Sequence, residues 1–134
     1  MKDNFLIKKR FSKALHSYDE CAIVQKYMAA RLIHLTLRKK GQNFERILEI
    51  GCGTGLLTKY ISTCFFYQEL YLNDIIEECK EHIQKKGISP FFFLTGNVET
   101  IQFPSSLQLV ISNATFQWLP NLKNLFEKIF LSLQ

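Results

Sequence analysis

The sequence predicts an α/β fold with a mainly parallel sheet, and three observations carry that expectation. Arg46 to Thr58 reads RILEIGCGTGLLT: a short aliphatic run, three alternate glycines, then residues at helical spacing. Asp74 closes the next apolar run, Leu70 to Asn73, about 20 residues beyond the glycines. Strand-like and helix-like segments then alternate to the end of the chain, the pattern of a parallel sheet covered by helices. Strand, glycine turn and helix open a nucleotide-binding βαβ unit. Glycines let the backbone turn sharply and approach a ligand, and the helix presents free N–H groups to it. A carboxylate at the end of the second strand stands where ribose hydroxyls lie in such folds.

Taken in order, Phe5 to Leu15 is basic and amphipathic. Ser17-Tyr18-Asp19-Glu20 is a connector whose carboxylates suit a helix start. Ala22 to Lys40 is helical, with Ile23, Val24, Tyr27, Met28, Leu32, Leu35 and Leu37 as its apolar stripe; Gly41 after Arg38-Lys39-Lys40 is the stop. Arg46 to Ile50 is the first strand, followed by the turn and a helix to about Thr63. Leu70 to Asn73 is the second strand. Ile75 to Lys86 is a helix with Glu early and Lys late, as the macrodipole prefers, ended by Gly87. Phe91 to Leu94 is the third strand, Gly96 to Glu99 a turn and Leu107 to Ser112 the fourth strand. From Asn121 onward, Leu122, Leu125, Phe126, Ile129 and Phe130 mark a final amphipathic helix.

A chain of 134 residues allows one core, and 47% hydrophobic with 22% charged residues is ordinary for a soluble globular protein. No apolar run approaches the ~20 residues that span a bilayer, and Met1 to Phe5 lacks a signal-peptide core. Cys21, Cys52, Cys64 and Cys79 have no paired close spacing and read as free thiols in a reducing cytoplasm. His16, His34 and His82 are scattered, so no metal site is expected. The net charge of +5 is concentrated in Lys8-Lys9-Arg10 and Arg38-Lys39-Lys40. These runs are either a solvated face or a surface for an acidic partner. No aromatic-interleaved basic motif points to nucleic acid.

Glu49-Ile50-Gly51-Cys52-Gly53-Thr54-Gly55 resembles the first motif of class I S-adenosylmethionine-dependent methyltransferases, an acidic residue followed by Gly-x-Gly-x-Gly. Dinucleotide dehydrogenases carry the wider Gly-x-Gly-x-x-Gly. The resemblance implies a Rossmann-like fold in which the turn approaches the methionine moiety and Glu49 orients the turn or the cofactor's amino end. It implies that Asp74, with Ile75 beside it, holds the ribose through charge-assisted hydrogen bonds. Asn97-Val98 fall where the family holds adenine, usually through an aspartate; Asn97 keeps the hydrogen bonding without the charge, or is simply a turn residue. Cys52 inside the turn reads as a small filler and not a nucleophile.

A second resemblance spans nearly the whole chain. Arg10-Phe11-Ser12-Lys13-Ala14, Tyr18-Asp19, Gln25, Met28-Ala29 and Ser112-Asn113-Ala114-Thr115-Phe116-Gln117-Trp118 look like the biotin-pathway malonyl-acyl-carrier-protein O-methyltransferases. This implies methylation of the free carboxylate of malonyl-acyl carrier protein or malonyl-CoA. Residues 1–41 would form an N-terminal helical lid, and residues 42–134 the first part of the cofactor-binding domain. Tyr18 would position methyl group or carboxylate, or else seal the lid on the core. Asn113 and Ala114 would join the cofactor site, and Gln117 and Trp118 the substrate side, Trp118 being equally suited to core packing. The acidic carrier protein would suit the basic N-terminal helices.

The family's sheet ordinarily has seven strands in the order 3-2-1-4-5-7-6, and this sequence supplies four. The chain is therefore expected to be a truncated or split part of a longer protein, completed by a C-terminal segment or a second chain, in preference to the alternative of a natural minimal form. The rival readings are a methyltransferase for another small molecule and a cofactor-binding but inactive fragment.

Overall fold

The computed structural model describes residues 23–113 and 119–133. Its elements run α1 (Ile23–Lys40), β1 (Asn43–Ile50), α2 (Leu56–Cys64), β2 (Phe66–Asp74), α3 (Cys79–Lys85), β3 (Phe92–Thr95), β4 (Leu109–Ser112) and α4 (Leu122–Ser132). The strands form a parallel sheet in the order β3-β2-β1-β4. β1 is inner on both sides, with Ile47 opposite Leu70 of β2 and Leu109 of β4. That position explains its composition: a parallel strand paired on both edges and covered on both faces is continuously apolar, and Ile47, Leu48 and Ile50 are fully buried.

Alternation along β1 divides the core. Ile47 lies in a cluster with Ala29 and Ile33 of α1, Leu57 and Ile61 of α2, and Cys79 and Ile83 of α3. Leu48 and Ile50 join Val98, Leu107 and Leu125 of α4 in a second cluster. The glycine turn therefore sits at the C-terminal edge of a sheet held from both faces, where α/β proteins build their sites.

Several boundaries differ from the expectations. β1 and β2 begin earlier than Arg46 and Leu70, because Phe66 to Glu69 alternate in burial and give no continuous apolar signal. The third helix starts at Cys79 and not at Ile75. The Ile76 N–H donates to Asp74 Oδ1 at 3.0 Å, and Cys79 N–H to the Ile76 carbonyl at 3.2 Å, so 75–78 is committed to turns. β4 proper is Leu109–Ser112, with Leu107 instead bridging to Leu133. The stripe expected on α1 is mostly outward: Ile23, Val24 and Tyr27 are largely exposed, and the helix buries Ala29 and Ile33. The helix packs against α2, and the small Ala29 is fully buried in the shared core cluster. Gly41 does end α1, at φ +81° with its N–H donating to the Leu37 carbonyl at 3.1 Å.

Candidate functional site

Polar side chains at the ends of β2 and β4 and backbone groups of the turns after β1 and β3 meet at the C-terminal edge of the sheet, tied together by hydrogen bonds. After β1 the chain turns through Gly51, Gly53 and Gly55, all at positive φ. The Gly53 N–H donates to Asp74 Oδ2 at 2.9 Å, while Asp74 Oδ1 accepts from Ile76. One carboxylate thus joins the glycine turn to the end of β2. The Cys52 N–H donates to the Asn73 carbonyl at 2.9 Å, and the Gly96 N–H to the Asp74 carbonyl at 3.0 Å. On the other side of β1, the Ser112 hydroxyl donates to the Ile50 carbonyl at 2.8 Å, and the Asn113 amide to the Gln25 carbonyl at 3.1 Å. That last bond attaches α1 to the same edge.

The glycines do different work. A Cβ on Gly53 would meet nothing within 4 Å, so this position opens to the space in front of the turn, and its φ of +54° disfavours any β-branched residue. A Cβ on Gly55 would stand 3.0 Å from Ile83 Cγ1, so Gly55 is required for α3 to pack against the turn.

Side chains in the turn point inward. Cys52, Thr54 and Val98 are buried, leaving backbone as what this part of the edge can offer a ligand. Ile75 is half-buried and packed against the first cluster. Asn97 Oδ1 accepts from the Glu99 N–H at 2.9 Å, so its side-chain oxygen is committed to its own turn. Glu49 is fully buried and accepts a 2.5 Å hydrogen bond from the Thr58 hydroxyl on α2. Tyr18, Ala114, Gln117 and Trp118 lie outside the described residues.

Burial controls the electrostatics. It pushes the Glu49 carboxyl up to about 8; the Thr58 hydroxyl opposes the rise and the Asp74 charge adds to it. Burial also raises Asp74, against the lowering effect of the N–H groups of Ile76, Gly53 and Ile75 and of the Cys79 thiol. The Cys52 thiol is raised well above its ordinary range by burial and by the nearby carboxylates, which leaves no thiolate for nucleophilic chemistry. Among the described residues, no group of three His, Cys, Asp or Glu is placed to hold a metal, and no helix is long and apolar enough to cross a membrane.

Three contributors escaped the sequence reading. Thr58 is one. Asn73 is another: it is buried, and its amide donates to the Leu94 and Gly96 carbonyls at 2.9 and 3.0 Å, joining β2 to the turn after β3. An asparagine within an apolar strand was the available signal. The third is Lys128 of α4, whose ammonium donates to the Val98 carbonyl at 3.0 Å and to that of Ile101, and lies 4.4 Å from the Phe103 ring centroid. Periodicity gives no hint that this lysine points inward.

The model of a methyltransferase domain family matches residues 48–134, from the middle of β1 through the turn and Asp74 to the end of α4. The chain belongs to that methyltransferase domain family. Among curated relatives, the malonyl-[acyl-carrier protein] O-methyltransferase of Chlorobium phaeovibrioides is 40% identical over 139 residues, covering 99% of this chain and 54% of the relative. That of Calditerrivibrio nitroreducens is 39% identical over 127 residues, covering 95% and 49%. The chain therefore spans about half the length of the curated relatives it matches. The fold is that of solved methyltransferases. One from Methanococcus maripaludis, described as a putative S-adenosyl-L-methionine-dependent enzyme, superposes with a TM-score of 0.76 at 15% identity, covering 100% of this chain and 61% of that one. The N-methyltransferase NodS of Bradyrhizobium japonicum, solved with S-adenosyl-L-homocysteine, gives 0.77 at 14% identity, covering 95% and 67%. With these, the Rossmann-like class I methyltransferase fold stands, and the sheet order matches the first four positions of its seven-strand pattern.

In this methyltransferase domain, Gly53→Val is expected to abolish cofactor binding. The branched side chain would occupy the open space in front of the turn and strain the left-handed backbone that aims the Gly53 N–H at Asp74. Calorimetric titration with S-adenosylmethionine checks it: normal affinity in a folded variant would take the turn out of the site.

Proposed function

We propose that the protein binds S-adenosylmethionine across the C-terminal ends of β1 to β4 and methylates the free carboxylate of malonyl-acyl carrier protein, in biotin biosynthesis. The observation that carries this reading is the 40% identity to a malonyl-[acyl-carrier protein] O-methyltransferase over 99% of the chain. The donor set fits the cofactor. Gly53 leaves room for close approach, Asp74 presents a carboxylate suited to two ribose hydroxyls, and Glu49 lies beneath the turn as a counter-charge for an amino group. Ile75, Asn97, Val98, Asn113 and Ala114 complete the cofactor side; Tyr18, Gln117 and Trp118 serve the substrate.

S-adenosylmethionine supplies an activated methyl group on a sulfonium. The chain's own task is to align the acceptor and exclude water. A malonyl carboxylate is already ionised at neutral pH and needs no general base. A site that offers turn backbone and an inert Cys52 thiol suits that chemistry.

Residues 1–41 act as a lid, anchored through Ala29 and Ile33 of α1. Arg38, Lys39 and Lys40 are exposed at the end of α1 and, with Lys8, Lys9 and Arg10, would steer the acidic carrier protein. The free thiols of Cys52, Cys64 and Cys79 suit a cytoplasmic setting. A further polypeptide segment completes the sheet beside β4.

The test pairs calorimetry with S-adenosylmethionine against transfer of its labelled methyl to malonyl-acyl carrier protein. Binding with transfer supports the whole reading. Binding without transfer supports a cofactor-binding fragment, which the exposed Phe130 and Leu131 of α4 and the edge of β4, unpaired among the described residues, favour. Transfer only to other acceptors would replace the substrate.

A further inference from the structure

We propose that Thr58 is a positioning residue for ligand binding at the glycine turn: its hydroxyl fixes the Glu49 carboxyl beneath the turn, and the arrival of a cationic ligand group draws a proton off that carboxyl. The inference rests on the S-adenosylmethionine reading, whose ligand ends in an ammonium group.

The geometry carries the argument. Glu49 lies two residues before Gly51 on the inner strand, 1% exposed, and Thr58, 0% exposed, reaches it from the first turns of α2. Its strand neighbours at the same level are Leu72 of β2 and Ile111 of β4, both apolar. Among the described residues, the titratable groups that face it are all acids: Asp74 at the end of β2, Cys52 in the turn, and, through Asp74, Cys79 of α3. A carboxyl so enclosed, with one neutral donor and a second carboxylate beside it, keeps its proton in the free protein. This agrees with its pKa near 8.

A cation about 5 Å away, at an effective permittivity near 20, lowers such a pKa by roughly two. The O–H bond of Glu49 then breaks, the proton passes to the buffer, and the carboxylate pairs with the ammonium. The sign follows. The free-state pKa is raised and the bound-state value is lower, so binding strengthens as pH rises between the two. Thr58 donates to the ionised form, so removing its hydroxyl moves the whole window upward.

The experiment is calorimetric titration of the purified protein with S-adenosylhomocysteine in buffers of different ionisation enthalpy, repeated from pH 6 to 9. The comparison ligand is 5′-methylthioadenosine, which lacks the ammonium group. The expected release is about 0.8 proton per S-adenosylhomocysteine at pH 7 and none for 5′-methylthioadenosine. Affinity for S-adenosylhomocysteine should strengthen about fivefold from pH 6 to 7. Thr58→Val should bind roughly fivefold more weakly at pH 7 and within about twofold of wild type at pH 9, while Thr58→Ser should keep the wild-type profile. Glu49→Gln should bind without releasing a proton. A loss in Thr58→Val that is equal at every pH, or wild-type binding with no proton release, overturns the inference and leaves the cofactor reading standing. Failure of the wild type to bind either ligand overturns both.

Discussion

Residues 1–134 alone are expected to turn over malonyl-acyl carrier protein on the order of 100-fold or more slowly than a chain extended by the segment that completes the sheet. β4 stands at the end of the strand order, and among the described residues it pairs only with β1. Its other row of N–H and C=O groups is an open edge, a template for unwanted association. The outer face of α4 tells the same story: Leu125 is buried, whereas Phe126, Phe130 and Leu131 are 49%, 77% and 83% exposed. Large apolar groups side by side on one helix face are a surface suited to burial against a further segment. On the proposed reading, such a segment would supply the wall against which the acceptor carboxylate aligns. Alignment is the main source of rate in transfer from an activated donor, and a displacement of about 1 Å already costs roughly 100-fold. Steady-state methyl transfer by the two chains decides the matter. Comparable rates would show that the substrate wall lies within these residues.

Asp74→Ala is expected to weaken S-adenosylmethionine binding by about 1.5–3 kcal/mol, since hydrogen bonds to a charged acceptor are lost. That corresponds to roughly 10- to 150-fold in dissociation constant. The carboxylate also holds the turn together. It accepts from Gly53 on one oxygen and from Ile76 on the other, so its removal also loosens the turn. Asp74→Asn separates the two effects, because the amide oxygen can hold one N–H group but carries no charge for the ribose. Burial holds the Asp74 pKa above the usual carboxylate value. Binding should therefore fall away as pH drops through that raised value, and the alanine variant should lose this acid limb. Calorimetry over pH checks both statements, and an Asp74→Ala protein with wild-type affinity would remove the residue from the site.

The parallel order of the strands was legible because local signals agreed. The Ile47-Leu48-Glu49-Ile50 run, the glycines after it and Asp74 each sit where a buried βαβ unit needs them, and β1 is the inner strand that such a run implies. The start of α3 was not legible. Ile75 to Glu78 has helical composition, yet Asp74 captures the Ile76 N–H and delays the helix by four residues. The α1 stripe misled for another reason. Side-chain size drew attention to Val24 and Tyr27, but the residues that the helix buries in the core are Ala29 and Ile33. Within the site, the inward-facing Glu49 and the outward-opening Gly53 have equal weight in a motif. Only packing shows that one is a buried acid and the other a doorway. Lys128 was invisible because its partners, the Val98 and Ile101 carbonyls, are backbone groups about 30 residues away.

The inner position of β1 also sets an order of assembly. Its pairing with β2 joins residues 23 apart in sequence, as at Arg46 and Glu69, and β2 meets the turn after β3 across the same span, at Asn73 and Gly96. Its pairing with β4 closes a loop of 62 residues, as between Ile50 and Ser112. The extra closure entropy is under ~1 kcal/mol, so the final fold hardly registers it. The folding rate does, because non-local pairs form only after their loop has been paid for in time as well as entropy. β1, β2 and β3 with α2 and α3 are therefore expected to assemble first, with β4 and α4 docking afterwards. The edge that carries Ser112 and Asn113 is thus expected to form late, and it is where a completing segment would add its strand. Such a segment would arrive as the last step of the same zipper, extending the sheet outward from a nucleus already built around the glycine turn.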